Sequence, residues 1–167
     1  MKMKKNLLLT GLFLSIIMSG CSSSKGLTKE EKVANETALR EVIENRTFII
    51  DVDRMTPMSG SSRSLTSNYS LQIKKDNVKS YLPYFGRAYS APYGGGNVLV
   101  FDSTTADYKS SYDDRGKATI EFNTRTENEQ LTYNIEIFPN GSTTITVRSN
   151  NRQSISFRGK TSSGKKT

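Results

Sequence analysis

The sequence has no histidine, no tryptophan and a single cysteine among its 167 residues. Without histidine, there is no histidine general base, no catalytic triad built on histidine and no histidine-ligated metal. One cysteine excludes an internal disulfide and a cysteine-rich metal site. Hydrophobic residues make up only 34% of the chain and mean hydropathy is −0.55, which excludes a protein with many membrane spans. We therefore expect a small one-domain protein with no metal site and no cofactor.

The first twenty residues have the pattern of a bacterial secretory signal, so we predict a signal peptide over 1–20. Met1–Lys5 contains three lysines, and Leu7–Met18 is an apolar run shorter than the roughly 20 residues a spanning helix needs. A serine and a glycine then precede Cys21, the only cysteine, and this arrangement resembles the lipobox of bacterial lipoproteins. The resemblance implies cleavage before Cys21 and lipidation of its side chain. The alternative is an ordinary signal peptide with an incidental cysteine.

The residues after the cysteine indicate where such an anchored protein lies. Ser22, and not aspartate, follows Cys21, and in many Gram-negative lipoproteins this pattern lets the protein move to the outer membrane. No acidic run follows, and such a run is the surface-export signal of Bacteroides-type lipoproteins. We therefore expect the periplasmic face of the outer membrane rather than the cell surface.

The charge of the exported part indicates which partners are suitable. The predicted signal holds three lysines and no acidic residue, so the chain from Cys21 onward carries about +5 of the total +8. This charge favours an anionic ligand or a protein partner in the envelope, whereas an exported protein is poorly placed to meet nucleic acid. The alternative is an ordinary solvated surface.

One helix and a series of strands are predicted after the signal. Residues 21–27 have the composition of a flexible tether. Thr28 and Glu31 have the spacing of a capping box, and apolar residues then recur on one helical face, which predicts an amphipathic helix over about 28–45. From Thr47 onward the apolar period changes from the helical value to two, which is typical of half-buried β-strands.

The strands continue almost to the end of the chain. We predict strands near 47–53, 68–74, 78–82, 98–101, 108–112, 117–123, 131–137, 144–148 and 155–157, with a long loop over 55–65. Strands with one apolar face that are joined by short turns form an antiparallel meander. With eight or nine strands the sheet must curl or close, because exposed edges aggregate. We predict a single β-rich domain over 28–160 and a disordered basic tail over 161–167.

The most unusual stretch runs from position 81 to position 89, where four aromatic residues, a proline, a glycine and an arginine occur together. One interpretation is a ligand platform, with aromatic faces for stacking and Arg87 for an anionic group. The candidate binding residues are then Tyr81, Tyr84, Phe85, Arg87, Tyr89 and Tyr93. The other interpretation, which we favour, is structural: the rings fill the interior of the sheet, and Arg87 donates hydrogen bonds to buried carbonyl groups.

Two blocks of the sequence resemble a known family. Residues 82–89 (LPYFGRAY) and residues 152–159 (RQSISFRG) are similar to a family of Bacteroides-type lipoproteins, domain of unknown function 4251. The resemblance covers about 28–160. It implies an all-β fold with one N-terminal helix, an antiparallel meander curled into a lipocalin-like half or full barrel, and it implies no activity. It also suggests that Arg152 and Gly159 shape the final hairpin.

The remaining motifs carry less information. Asp51-Val52-Asp53 lacks the glycine and the distal glutamate of a calcium loop, and Gly94-Gly95-Gly96 lacks the lysine and hydroxyl residue of a phosphate-binding loop. Asp102-Ser103-Thr104 resembles the short motif at which Bacteroides-type bacteria O-glycosylate exported proteins, which makes Ser103 a candidate modification site.

Three functional hypotheses remain open. The first is a non-enzymatic outer-membrane lipoprotein that binds a ligand or partner in the cell envelope. The second is an envelope hydrolase with a serine nucleophile and a lysine base, although no spacing singles out such a pair. The third is a purely structural envelope component. A serine hydroxyl within hydrogen-bond reach of a buried lysine supports the second, and a sheet interior filled by side chains supports the third.

Overall fold

The computed structural model describes residues 28–89, 98–127 and 129–163, and leaves undescribed the side chains of residues 31, 32, 98 and 163. The predicted signal and tether, with Cys21, lie outside the described residues. So do Tyr93, the glycine run at 94–96 and residues 164–167.

The described chain forms one helix and a closed eight-stranded barrel. The helix is α1 (Lys29–Glu44), and the strands are β1 (Thr47–Pro57), β2 (Arg63–Lys74), β3 (Asn77–Pro83), β4 (Val98–Tyr112), β5 (Ala118–Arg125), β6 (Gln130–Ile137), β7 (Ser142–Ser149) and β8 (Ile155–Ser163). Each strand pairs antiparallel with the next in chain order, and β1 pairs with β8. The predicted all-β class with one N-terminal helix is therefore confirmed, and of the half and the full barrel the chain forms the full one.

Period-two alternation produces the core. In β6, Leu131, Tyr133, Ile135 and Ile137 are buried, and the residues between them are half-buried on the outer face. The rings of Phe122 and Tyr133 stack inside the barrel, with centroids 5.0 Å apart. Each fully buried side chain of this size contributes about 1.5–3 kcal/mol relative to exposure. The interior between these strands is thus packed with side chains.

The long loop predicted over 55–65 is wrong. β1 continues to Pro57 and β2 begins at Arg63, because Met55 and Pro57 both point inward and are buried. Met55 is in register with Arg63 on one side and with Phe157 on the other. Serine, glycine and proline suggested a loop, but tertiary packing of two inward residues extends the strand.

The two short strands predicted at 98–101 and 108–112 form one strand, β4, of 15 residues. A β-bulge interrupts its pairing with β5 between Ala106 and Lys109, and Asp107 at this bulge has a positive φ of 55°. The extra residue switches the inward face of the strand, so that Leu99 before the bulge and Tyr108 after it both face the interior. Because the bulge interrupts the period-two alternation of apolar residues, the sequence pattern indicated two separate strands.

The two ends of the barrel differ. We call the end where α1 leads into β1 the helix end, and the opposite end, where β3 leads toward β4, the strap end. At the helix end, Ile43 of α1 is 2% exposed, and the guanidinium of Arg40 lies 4.3 Å from the ring centroid of Tyr112. The helix therefore packs against the barrel through one apolar face and an arginine–aromatic contact. No helix in the described part of the chain is long and apolar enough to cross a membrane.

The last strand closes the barrel and extends further than expected. Thr161 is 7% exposed, its hydroxyl lies 2.6 Å from that of Thr143, and its backbone N–H donates to the carbonyl of Gly141. The disordered tail predicted over 161–167 is therefore wrong for residues 161–163. At the same seam, a Cβ on Gly159 would overlap the carbonyl oxygen of Asp51, so β1 approaches β8 as closely as it does because residue 159 is glycine.

Candidate functional site

A short segment that we call the strap, residues 84–89, leaves β3 and crosses the strap end of the barrel. Ala88 forms a bridge with Arg152, in the connection between β7 and β8. The N–H of Tyr89 donates to the carbonyl of Asn151 at 2.7 Å, and the N–H of Gln153 donates to the carbonyl of Arg87 at 3.0 Å. The two sequence blocks that resemble the family are thus brought together by backbone pairing.

Tyr84 holds the strap against the barrel. Its side chain is 2% exposed, and its hydroxyl lies 3.0 Å from the carbonyl oxygen of Gln153 and 3.2 Å from that of Arg87. Burial raises the pKa of this phenol above its ordinary value. A Cβ on Gly86 would lie 2.6 Å from the Tyr84 hydroxyl, so the strap can cross here because it has no side chain at that point. Tyr84 therefore belongs to the core.

Arg87 is exposed, and the prediction that it is buried against carbonyl groups is wrong. Among the described residues its backbone makes hydrogen bonds, whereas its guanidinium makes no hydrogen bond, ion pair or ring contact. The buried arginine of this region is Arg152, whose side chain is 8% exposed. The sequence pattern alone does not show which of the two arginines is buried. The buried one is the arginine that faces a carboxylate.

That carboxylate is Glu129, in the connection between β5 and β6. Arg152 donates from Nε to Oε2 at 3.0 Å and from Nη2 to Oε1 at 2.5 Å, and the Ser149 hydroxyl donates to Oε2 at 2.6 Å. The guanidinium lies 4.7 Å from the ring centroid of Tyr84. Two-point contact with a carboxylate is the arrangement that lets an arginine be buried. Sequence reasoning placed Arg152 in the final hairpin but missed Glu129, which no local pattern marks.

Three aromatic side chains remain on the surface at this end. Tyr81 is 48% exposed, Phe85 43% and Tyr89 69%. Tyr81 stacks on Tyr69 with ring centroids 5.3 Å apart, and the guanidinium of Arg63 lies 5.3 Å from the ring centroid of Phe85. We call Tyr81, Phe85, Arg87 and Tyr89 the aromatic rim. The candidate set from the sequence is thus divided: four residues are exposed on the rim, Tyr84 is in the core, and Tyr93 lies outside the described residues.

Ser103 lies within β4 and not in a loop. Its side chain is half-buried on the strand face that also carries Leu99 and Phe101, and its hydroxyl donates to the carbonyl of Arg125 at 2.8 Å. A glycan at this position has to displace that hydrogen bond and pass the barrel wall. O-glycosylation of Ser103 stays a prediction, which the folded barrel does not favour.

The described residues bring together no pair of the kind that the hydrolase hypothesis requires. The serine hydroxyls that form hydrogen bonds there reach carbonyl groups, other hydroxyls or Glu129, as Ser80 does to the carbonyl of Leu99 at 2.7 Å, and none of them reaches a lysine. Lys117 donates to Glu136 at 2.7 Å, and this hydrogen bond raises the pKa of the lysine. No group of acidic or cysteine side chains in the described ranges has a metal-binding arrangement.

Comparisons with known proteins agree with this architecture. The model of a family described as "Domain of unknown function (DUF4251)" matches residues 30–161. Among solved structures, the chain is similar to the crystal structure of a DUF4251 family protein from Bacteroides eggerthii DSM 20697, with a TM-score of 0.63 and 18% identity over 78% of this chain and 90% of that one. At this identity the structural likeness supports the fold alone. A search of curated proteins found no match.

Proposed function

The chain belongs to the DUF4251 family, and we propose that it is a lipid-anchored protein of the cell envelope that acts by binding a partner through the aromatic rim. The observation that carries this proposal is the exposure of Tyr81, Phe85 and Tyr89 at one end of a barrel whose interior is already packed. Large aromatic side chains that cluster on a surface mark interaction sites more often than isolated ones do. Because buried side chains fill the described interior, the outer surface is where a partner can bind.

The anchor is proposed on the sequence around Cys21. A basic segment, a short apolar run and two small residues lead to this single cysteine. Each buried lipid methylene contributes about 0.8 kcal/mol, so a cysteine that carries several acyl chains holds a soluble domain on a membrane. Ser22 supports transfer to the outer membrane, and the lack of an acidic run supports its periplasmic leaflet.

The position of α1 supports an orientation for the anchored barrel. The tether over 21–27 has seven residues, which span at most about 25 Å when extended. It leads into α1, which packs at the helix end. In the proposed arrangement the helix end faces the membrane and the aromatic rim faces away from it. The partner is then another envelope component and not the anchoring lipid.

The chemistry of the rim favours a partner with an anionic group. The guanidinium of Arg87 is exposed, and among the described residues it is engaged with no carboxylate. A guanidinium offers fixed hydrogen-bond donors and a planar stacking surface together. Because the Arg87 guanidinium is exposed and unpaired, its hydrogen-bond donors are available to a ligand.

The anchor is tested by fractionation of cells that produce the Cys21→Ser variant. We expect this variant to leave the membrane fraction and lose its partition into detergent, whereas Ser22→Ala, which keeps the cysteine, stays in the membrane. A Cys21→Ser protein that still partitions into detergent contradicts the anchor.

The rim is tested by photo-crosslinking in intact cells. A photoreactive residue at position 89, on the rim, should yield a defined crosslinked partner. The same residue at position 109, an exposed site of β4 near the helix end, serves as the control. Equal crosslinking from both positions, or none from position 89, contradicts rim binding.

A purely structural envelope component is the second candidate. The packed barrel interior is the feature expected of it, with Phe122 and Tyr133 stacked at the centre. For this candidate, substitution of the rim residues leaves every crosslink unchanged, and the two proposals therefore separate in the same experiment.

A further inference from the structure

The outer wall of the barrel carries two arginines that face each other across a strand pair. Arg54 of β1 and Arg158 of β8 are in register, and both are exposed. Like charges placed directly opposite in an antiparallel pair repel each other. The next outward pair of the same two strands joins Asp51 to Lys160, which have opposite charges. Facing residues on this wall therefore do not generally carry the same charge.

Neither arginine is neutralised within the described part of the chain. The ion pairs there join Arg46 to Asp76, Lys117 to Glu136 and Arg152 to Glu129. Asp53 is exposed beside Arg54 and takes part in none of them. Arg63 is on the other face of the sheet, because it is in register with the inward residue Met55, and its guanidinium faces Phe85 at the strap end. We call Arg54 and Arg158 the arginine wall.

An irregular segment of β2 borders the arginine wall. Tyr69 is in register with Val52, and Ser64 is in register with Arg54, so four residues of β2 face a single residue of β1. We call this segment, residues 65–68, the β2 arch. A departure of this size from regular pairing changes the direction in which the local side chains point. Bulges of this kind are enriched beside functional sites.

The β2 arch presents polar groups to solvent. Thr66, Ser67 and Asn68 are exposed, and among the described residues their two hydroxyls and one amide make no side-chain hydrogen bond. Ser64, in register with Arg54, joins the β2 arch to the arginine wall. Two kinds of group are thus adjacent: exposed guanidiniums that take part in no ion pair, and exposed hydroxyl and amide groups.

We propose that the arginine wall and the β2 arch form a binding site for a carboxylate-bearing oligosaccharide. Guanidiniums bind carboxylates with two parallel hydrogen bonds, which accounts for the like-charged pair. Hydroxyl and amide side chains match the hydroxyl groups of a sugar. An acidic peptide added as a strand needs a regular edge, and the β2 arch is out of register over four residues.

This site goes beyond the proposed function, because it requires neither the lipid anchor nor a partner on the aromatic rim. It depends on residues of β8, β1 and β2 and includes no residue of the aromatic rim. A soluble titration can therefore support or overturn it independently of crosslinking in cells.

The test is calorimetric titration of the full chain with galacturonic acid oligomers. We expect binding that weakens at least tenfold when the same oligomer is methyl-esterified, and at least tenfold in Arg54→Gln and in Arg158→Gln. Lys160→Gln removes one charge from an outward position of the same strand and should change the affinity less than twofold. Tyr89→Ala, on the rim, should also leave it unchanged. Melting temperatures no lower than that of the parent chain establish that the variants are folded.

Three outcomes overturn the proposal. The first is no binding of the acidic oligomer. The second is an equal loss in Lys160→Gln, which assigns the binding to diffuse positive charge. The third is polyglutamate binding as tightly as the oligomer with the same dependence on Arg54 and Arg158, which assigns the site to an acidic polypeptide.

Discussion

Glu129 and Arg152 join two connections of the barrel under the strap by a two-point ion pair, with side chains only 7% and 8% exposed. The pair links the β5–β6 connection to the β7–β8 connection, 23 residues apart in sequence. Two charges buried together are stabilised by each other, so the loss of either leaves an uncompensated charge in the interior.

Glu129→Gln should lower the free energy of unfolding by about 3–5 kcal/mol, the usual cost of breaking a buried pair from one side. Asp76→Asn is the matched control, because it removes the exposed carboxylate that pairs with Arg46. Exposed pairs contribute about 1 kcal/mol or less. Urea denaturation measures both, and equal losses contradict the burial of Glu129.

Ile135→Ala should cost about 2–5 kcal/mol, as large-to-small substitutions in a packed core do. Ile135 is 0% exposed and in register with Ile120 and Ile145. Glu136→Ala, the next residue on the outer face, loses only a partly exposed pair with Lys117 and should cost about 0.5 kcal/mol. If both variants unfold at the same urea concentration, the assignment of the inner face of β6 is wrong.

Two tyrosine hydroxyls at the helix end are predicted to lower stability. Those of Tyr108 and Tyr112 are buried and have no hydrogen-bond partner among the described residues. A buried unsatisfied group costs about 1–3 kcal/mol, so Tyr108→Phe and Tyr112→Phe should each raise the free energy of unfolding by about 1 kcal/mol. Tyr84→Phe should have the opposite sign, because that hydroxyl donates toward the Gln153 carbonyl. Stabilisation by Tyr84→Phe is the result that contradicts this contrast.

Stability should fall at alkaline pH. Burial raises the pKa of Tyr108 from 10.0 to about 12, so the folded state holds this proton more tightly than the unfolded chain. The stability that the protonated phenol contributes is complete below about pH 10 and is lost as the pH rises toward about 12. Burial raises the pKa of Tyr84 and of Tyr112 in the same direction.

The urea midpoint measured between pH 9 and pH 12 checks this prediction, with tyrosinate absorbance as a second readout. Tyr108→Phe should remove part of the fall, whereas Tyr89→Phe, at an exposed position, should leave it unchanged. A midpoint that rises with pH in this window contradicts the sign.

Arg87→Ala should leave the melting temperature within about 1 °C of the parent, since surface substitutions usually change stability by about 0.5 kcal/mol or less. Its guanidinium is exposed and supports no other described residue. The same substitution should weaken crosslinking from position 89. A sharp drop in melting temperature restores a structural role for Arg87.

Local sequence patterns were sufficient to specify the class of the fold. Alternating apolar residues in β5 to β8 and a single amphipathic helix are local patterns, and local patterns specify local structure. The number of strands, their exposed edges and the two family-like blocks were enough to predict a curled or closed antiparallel sheet. The lipid anchor at the lone cysteine after an apolar run stays a prediction from the sequence.

Other features depend on long-range packing, which local patterns do not encode. The bulge at Asp107 joins two apparent strands into β4, and buried Met55 and Pro57 convert an apparent loop into strand. Neither Arg87 nor Arg152 has an acidic residue within five positions in the sequence, yet only Arg152 is buried. Burial of a charge depends on a partner brought close by the closed barrel, and Glu129 reaches Arg152 only when β5 to β8 have paired in register.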